Sequence, residues 1–133
     1  MSGIIVPVVE KRVFEFSFLA GTPQEVVLHP AIDVGAWYRV RMVILTHQIT
    51  ATSGNFVFAL RHAFPSEQDR QEFGIPGTDF LATAAITTSP PNLTTVSQVD
   101  PSAYLKFVLK ATQGTPGDTL YGEFSAYLVL RDV

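Results

Sequence analysis

The sequence predicts an all-β fold: an antiparallel β-sandwich, jelly-roll-like, of seven or eight strands. Three observations carry this. Apolar and polar residues alternate with period two along nearly the whole chain, and helical spacing is almost absent. The alternating runs recur at regular intervals with Gly and Pro between them, which is the punctuation of antiparallel sandwiches. A length of 133 residues suits one core that needs neither metal nor disulfide to fold.

Each run has its own pattern. From Val13 to Ala20, the side chains of Phe14, Phe16, Phe18 and Ala20 share one side against Glu15 and Ser17; three phenylalanines on one side mark a core face. Gly21-Thr22-Pro23 ends that strand, and Gln24 to His29 forms a second, stopped at Pro30. Trp37 to Thr50 is the longest run. Tyr38, Val40, Met42 and Ile44 take the core side, with Arg39, Arg41, Val43, Leu45 and His47 opposite. Ser53-Gly54-Asn55 signals a tight turn. Phe56, Phe58, Leu60 and His62 then alternate with Val57, Ala59 and Arg61, so residues 37–62 are predicted to form one long β-hairpin.

The stretch 66–73 is the one candidate helix. Ser66 can cap it and Asp69 completes a capping box, but Gly74, Pro76 and Gly77 limit it to a short helix or a loop. Asp79 to Thr88 is a strand rich in Ala and Thr. Leu93 to Val99 is a short edge strand. Ala103 to Thr112 and Leu120 to Arg131 alternate again and complete the set.

The start of the chain differs. Ile4, Ile5, Val6, Val8 and Val9 are apolar on both sides and are interrupted by Pro7, and proline belongs to sheet edges. Residues 1–12 are therefore an edge strand or an extended arm packed on a neighbouring subunit, and residues 13–133 form a single sandwich domain.

The chemistry the sequence offers is sparse. Net charge is −3, so no electrostatic footprint for nucleic acid stands out, and the lack of cysteine removes thiolate chemistry. No apolar run reaches the ~20 residues of a membrane helix, and no signal peptide is visible. His47 and His62 would face each other across the predicted hairpin. Neither they nor His29 has a metal-ligand spacing, and Asp33 or Glu67 is an unsupported third ligand. Glu15 and Glu123 alternate with core residues as solvent-side groups and do not form an acid–base pair. No serine sits on a nucleophile elbow. No catalytic residue, metal ligand or cofactor is predicted. Trp37, Tyr38, Tyr104, Tyr121 and Tyr127 are candidates for stacking on sugar rings, and Tyr104, Tyr121 and Tyr127 share an outer face only if the last two strands pair. Arg39 and Arg41, with Arg61 opposite them on the hairpin, suit edge protection.

Function is predicted from the outer faces. Val43, Leu45, Val57, Ala59, Val108 and Val129 are apolar yet lie on the side away from the core. A free sandwich wets its outer faces, and only 16% of the residues are charged. A second copy of the chain is the simplest cover. The expected contacts are Ile4, Ile5, Val6, Val8, Val9, Val43 and Leu45.

Four segments carry a resemblance: Trp37 to Ile44, Phe64 to Asp69, Ala103 to Lys110, and Gly122 to Arg131. In their style of alternation they resemble small β-sandwich bacteriophage virion proteins, some of which decorate or cement capsids. The resemblance implies a non-catalytic virion protein that forms a homo-oligomer, with a trimer favoured. Its further partner would be the major capsid protein or another virion protein, and it would be assembled in the host cytoplasm. The alternatives are a carbohydrate-binding sandwich and, third, a small hydrolase with an unrecognised site.

Overall fold

The computed structural model describes residues 3–18, 24–63, 79–86, 93–101 and 104–132. They form eight strands: β1 (Gly3–Ser17), β2 (Gln24–Asp33), β3 (Arg39–Ala51), β4 (Asn55–His62), β5 (Asp79–Ala82), β6 (Leu93–Val99), β7 (Tyr104–Thr112) and β8 (Thr119–Arg131). Two four-stranded sheets have the orders β1-β8-β3-β6 and β2-β7-β4-β5. All pairings are antiparallel, and they nest: β1 with β8, β2 with β7, β3 with β6, β4 with β5. This is the eight-stranded jelly roll, a long ribbon folded over into two sheets. The candidate helix near 66–73 lies outside the described residues.

The alternation sets the core. Val40, Met42 and Ile44 of β3, Phe56, Phe58 and Leu60 of β4, Leu105, Phe107 and Leu109 of β7, and the even-numbered residues of β8 from Leu120 to Leu130 are buried between the sheets. Phe14 and Phe16 of β1 join them, as does Phe18 just beyond its end. Tyr38 lies outside this row; it is exposed at the approach to β3.

The predicted 37–62 hairpin does not form. β3 pairs with β6 and β8, whereas β4 pairs with β5 and β7. The two strands lie in different sheets and stack their apolar faces. The turn explains why. A two-residue hairpin favours Asn-Gly, and here the order is reversed. Gly54 has φ +92°, a left-handed conformation suited to glycine, and an added Cβ would meet the Phe18 ring at 2.7 Å. The Asn55 side chain is held by β7 and the residue after it. Its Nδ2 donates to Gln113 Oε1 at 3.2 Å, and Thr112 Oγ1 donates to its Oδ1 at 2.6 Å. The chain is thereby carried across to the other sheet.

Residues 3–17 are a strand of the first sheet, paired with β8 from Gly3↔Arg131 to Ser17↔Thr119. Val9 is buried in the core, and Val6 and Val8 pack partly against it. Only Ile4 and Ile5 of the apolar start are turned to solvent.

Candidate assembly surface

The register of the first sheet gathers its outward apolar residues into rows. Ile5, Val129, Arg41 and Ser97 lie side by side across β1, β8, β3 and β6. Pro7, Tyr127, Val43 and Thr95 form the next row, and Ser125, Leu45 and Leu93 the third. Ile5 is 66% exposed and Leu93 57%, while Val43, Leu45, Tyr127 and Val129 are half-buried. The result is one apolar band across four strands. Arg39, Arg41 and Arg131 border it at one end. Glu123 and Glu15 lie toward the other, beside Gln48 and Tyr121 respectively. Val43 and Leu45, expected as contacts, sit within it on β3, and Ile5 forms its end on β1. Val6 and Val8 do not reach this face, and Val9 is in the core.

The outer face of the second sheet is built differently. Its middle row is Val27, Val108, Ala59 and Ala82. Glu25, Lys110 and Val57 flank it on one side, and Lys106, Arg61 and Asp79 on the other. Arg61 reaches diagonally over this row to Glu25, with Nη1–Oε1 at 2.6 Å and Nη2–Oε2 at 3.0 Å, while its Nε donates to Asp79 Oδ1 at 3.2 Å. Lys110 runs along the other diagonal to Asp79. The register puts Val108 under the first line and Ala59 under the second, and both are 0% exposed. The expectation that Val57, Ala59 and Val108 need a second copy to cover them is therefore corrected for Ala59 and Val108. Long charged side chains lay their aliphatic stems over short neighbours, and one copy roofs the centre of this face by itself, while Val27 and Val57 stay half-buried. Arg61 consequently faces away from Arg39 and Arg41, in the other sheet. Hydrogen bonding to Glu25 is the largest influence on Arg61 and raises its pKa above the ordinary arginine value, against the lowering effect of burial.

The histidines are separated by the same topology. His47, on β3, bonds Ser125 Oγ through Nε2 at 2.9 Å. His62, on β4, meets the Phe80 ring edge-on at 5.6 Å. His29 Nδ1 lies 2.8 Å from the carbonyl oxygen of Pro30. Among the described residues, no group of three His, Asp or Glu side chains could hold a metal ion.

Sequence reasoning missed what Ser125 does. Its buried hydroxyl accepts from the backbone N–H of Lys11 at 2.9 Å as well as bonding His47. Both neighbouring strands shift register at this level, β1 between Val9 and Arg12 and β3 between Thr46 and Gln48, and Lys11 takes φ 46°. One hydroxyl thus pins two bulges on either side of β8. Ser125→Ala is expected to lower stability by about 1–2 kcal/mol, because the Lys11 N–H loses its acceptor; urea unfolding of the two proteins measures it. No carboxylate bonds His47 among the described residues, and the enclosed hydroxyl is poorly placed to attack a substrate.

The aromatic candidates are dispersed. Trp37 packs partly against the core. Tyr104 is on β7 and Tyr121 and Tyr127 on β8, in different sheets, so the condition for a shared face is not met. Tyr121 lines an open cleft of about 480 Å³ with Gln48, Thr50, Ala51, Thr52 and Thr119. Tyr127 lies six residues further along the strand, about 20 Å away, and belongs to the apolar band.

No protein-family model matches the sequence, and no curated protein is similar to it in sequence. Solved structures share its fold. A chain of the infectious bursal disease virus VP2 subviral particle is similar at 14% identity and TM-score 0.55, over 98% of this chain and 33% of that one. A chain of the Gx strain of the same virus has 16% identity and TM-score 0.55, over 97% and 31%. T=1 particles derived from infectious bursal virus contain a chain with 16% identity and TM-score 0.50, over 98% and 31%. This chain spans about a third of the length of each of them. At such identities the likeness is one of fold.

Proposed function

We propose that this protein is a non-catalytic structural component of a virion-type shell. It self-associates through the outer face of the β1-β8-β3-β6 sheet and seats that assembly on a larger protein surface. One observation carries the reading: the two outer faces are unequal. The centre of the second sheet is roofed by its own ion pairs, while among the described residues nothing covers the apolar band from Ile5 to Leu93 on the first. Contiguous exposed apolar patches are the mark of interaction surfaces. Fold likeness to chains from virus particles supports the reading by analogy only, because fold does not dictate function. Within this proposal the assembly is a homo-oligomer, a trimer by the resemblance to phage virion proteins. Its partner is a major capsid protein or another virion protein, as in capsid decoration.

The test uses two charge insertions on the band. Purified wild-type protein is expected to run as an oligomer in light scattering. Ile5→Glu/Tyr127→Glu is expected to weaken that association by about 100-fold, since each buried charge removes on the order of a factor of ten or more. Both sites face outward, so thermal unfolding should change little. Deleting the first nine residues is a poorer test, because it removes Val9 from the core and strips β8 of half its partner. A wild-type protein that stays monomeric at high concentration rejects the proposal, as does a double variant that associates normally.

A further inference from the structure

The sandwich has four edge strands, and three of them are blunted. β1 carries Pro7, two register shifts and the charged run Glu10-Lys11-Arg12. β2 carries Glu25, Pro30 and two register shifts. β5 is four residues long and has a shift of its own. These are the devices by which sheets avoid joining edge to edge. β6 has none of them. Leu93–Val99 pairs with β3 in unbroken register over seven residues and contains no proline, glycine or charge. Among the described residues no strand occupies its free side.

The sequence of β6 is also self-complementary. Laid antiparallel against a second copy about a two-fold axis at Val96, Leu93 falls opposite Val99, Thr94 opposite Gln98, and Thr95 opposite Ser97. Apolar meets apolar and polar meets polar at every position. The register keeps faces together, so Leu93, Thr95, Ser97 and Val99 stay on the outer side in both copies, as a half-buried sheet requires.

Charges on the neighbouring strand fit as well. Arg39 and Arg41 of β3 lie beside Val99 and Ser97. The two-fold places the second copy's Leu45 and Val43 on those same rows, so no arginine of one copy meets an arginine of the other. Like charges directly opposed would count against such a pair. The joined sheets have the order β1-β8-β3-β6-β6-β3-β8-β1, and on the outer side Leu93 of each copy meets Val99 of the other.

From this arrangement we infer that β6 is a homotypic contact: two copies of this chain join by antiparallel β6–β6 pairing centred on Val96, which is a closed, isologous interface. This rests on the self-association reading above and deepens it: a two-fold pair is not a contact within a trimer, so it joins one band-built assembly to the next, and it uses backbone groups that the outer band does not.

The experiment is made in the full chain carrying Ile5→Glu/Tyr127→Glu, where association through the band is blocked. Thr95 and Ser97 are exposed, so charges there leave folding intact, which circular dichroism checks. Sedimentation equilibrium should show dimers in the band-blocked parent. Adding Thr95→Lys/Ser97→Lys sets lysine against lysine across the axis and should raise the dissociation constant about 30-fold. Adding Thr95→Glu/Ser97→Glu should do the same. An equimolar mixture of the two sets opposite charges in register, and should recover heterodimers near the parent affinity.

A monomeric parent overturns the β6 contact, and so does a lysine variant that dimerises as well as its parent. A mixture no better than its components overturns it too. If the wild-type protein oligomerises through the band while these results appear, the β6 pair fails alone and the proposed function stands. If the band substitutions leave wild-type association unchanged while the charge-swapped mixture pairs, the band reading fails and the β6 contact stands.

Discussion

Phe124→Ala is expected to lower the stability of this protein by about 3–5 kcal/mol, the usual range for a buried phenylalanine. That is a large share of the ~5–15 kcal/mol by which whole domains are stable. Phe124, on β8, is fully buried. Its ring meets Phe56 edge-on at 4.8 Å and Phe58 at 5.0 Å, and lies 6.5 Å from Phe14. These partners belong to β4 in the opposite sheet and to β1 in its own. One side chain therefore ties the two layers together, and its removal takes away edge-to-face contacts as well as apolar area. The neighbouring backbone cannot fill the hole. Gly122, the preceding core-facing residue of β8, has no side chain because a Cβ there would stand 2.5 Å from the Phe124 ring and 2.7 Å from that of Phe56. With glycine on one side and interlocked rings on the others, the cavity collapses little, which places the effect toward the upper end. Urea titration should show a lower midpoint with unchanged slope. Thermal unfolding should fall by roughly 10–20 °C, at a few degrees per kcal/mol for a domain of this size. A loss below about 1 kcal/mol would mean that these rings are not what joins the sheets.

The alternation that makes Phe124 a core residue was legible in the sequence, and so were nearly all the strands. The predicted run Leu93 to Val99 and the observed β6 coincide, and the runs at 103–112 and 120–131 differ from β7 and β8 by one residue. Strand partners were not legible. Period two reports which face of a strand is greasy. It does not say whether that face is shared edge to edge within a sheet or stacked across the core. Val40, Met42 and Ile44 would alternate identically in a hairpin with Phe56, Phe58 and Leu60 or, as here, lying over them. The reversed Gly54-Asn55 order was the available local signal against the hairpin. The expected hairpin sets His47 against His62 and Arg61 against Arg39, whereas the nested pairing separates both sets. The assembly surface was half legible. Val43 and Leu45 stood out as apolar residues on a wet side, but their union with Ile5, Tyr127 and Val129 depends on β8 lying between β1 and β3. The cover over Val108 had a signal too: Lys106 and Lys110 flank it on its own face, and Arg61 lies one step beyond Ala59. Long charged residues around short apolar ones can roof them over.

That roof gives the second large effect. Arg61→Met is expected to lower stability by about 2–4 kcal/mol, somewhat under the ~3–5 kcal/mol for breaking a fully buried pair. The discount follows from exposure. The Arg61 side chain is 11% exposed, but Glu25 and Asp79 retain 36% and 26% and can recover some hydration. The variant leaves Glu25 with neither of its two guanidinium hydrogen bonds, and leaves Asp79 with Lys110 as its one ion-pair partner among the described residues. Arg61→Lys should rescue little, because an ammonium cannot offer the planar fork that Glu25 grips while also reaching Asp79. The sign of the pH dependence follows from the raised pKa of Arg61. A cation stabilised in the folded state contributes fully below its unfolded pKa and loses that contribution only as pH rises through its folded value. For an arginine that window lies in strong alkali, so the Arg61 charge itself adds no slope to wild-type stability near neutral pH. A double-mutant cycle with Glu25→Gln isolates the two-pronged pair from the packing. The packing has a second readout. Methionine has no charged head to hold its stem across to Glu25, so Val108 loses its cover and the roofed face becomes a second apolar face; the variant should bind more of the dye ANS than the wild-type protein while still folded. Normal stability with no dye binding would show that Val108 and Ala59 are kept dry by something other than these ion pairs. The inequality of the two outer faces, on which the assembly reading rests, would then need a different physical cause.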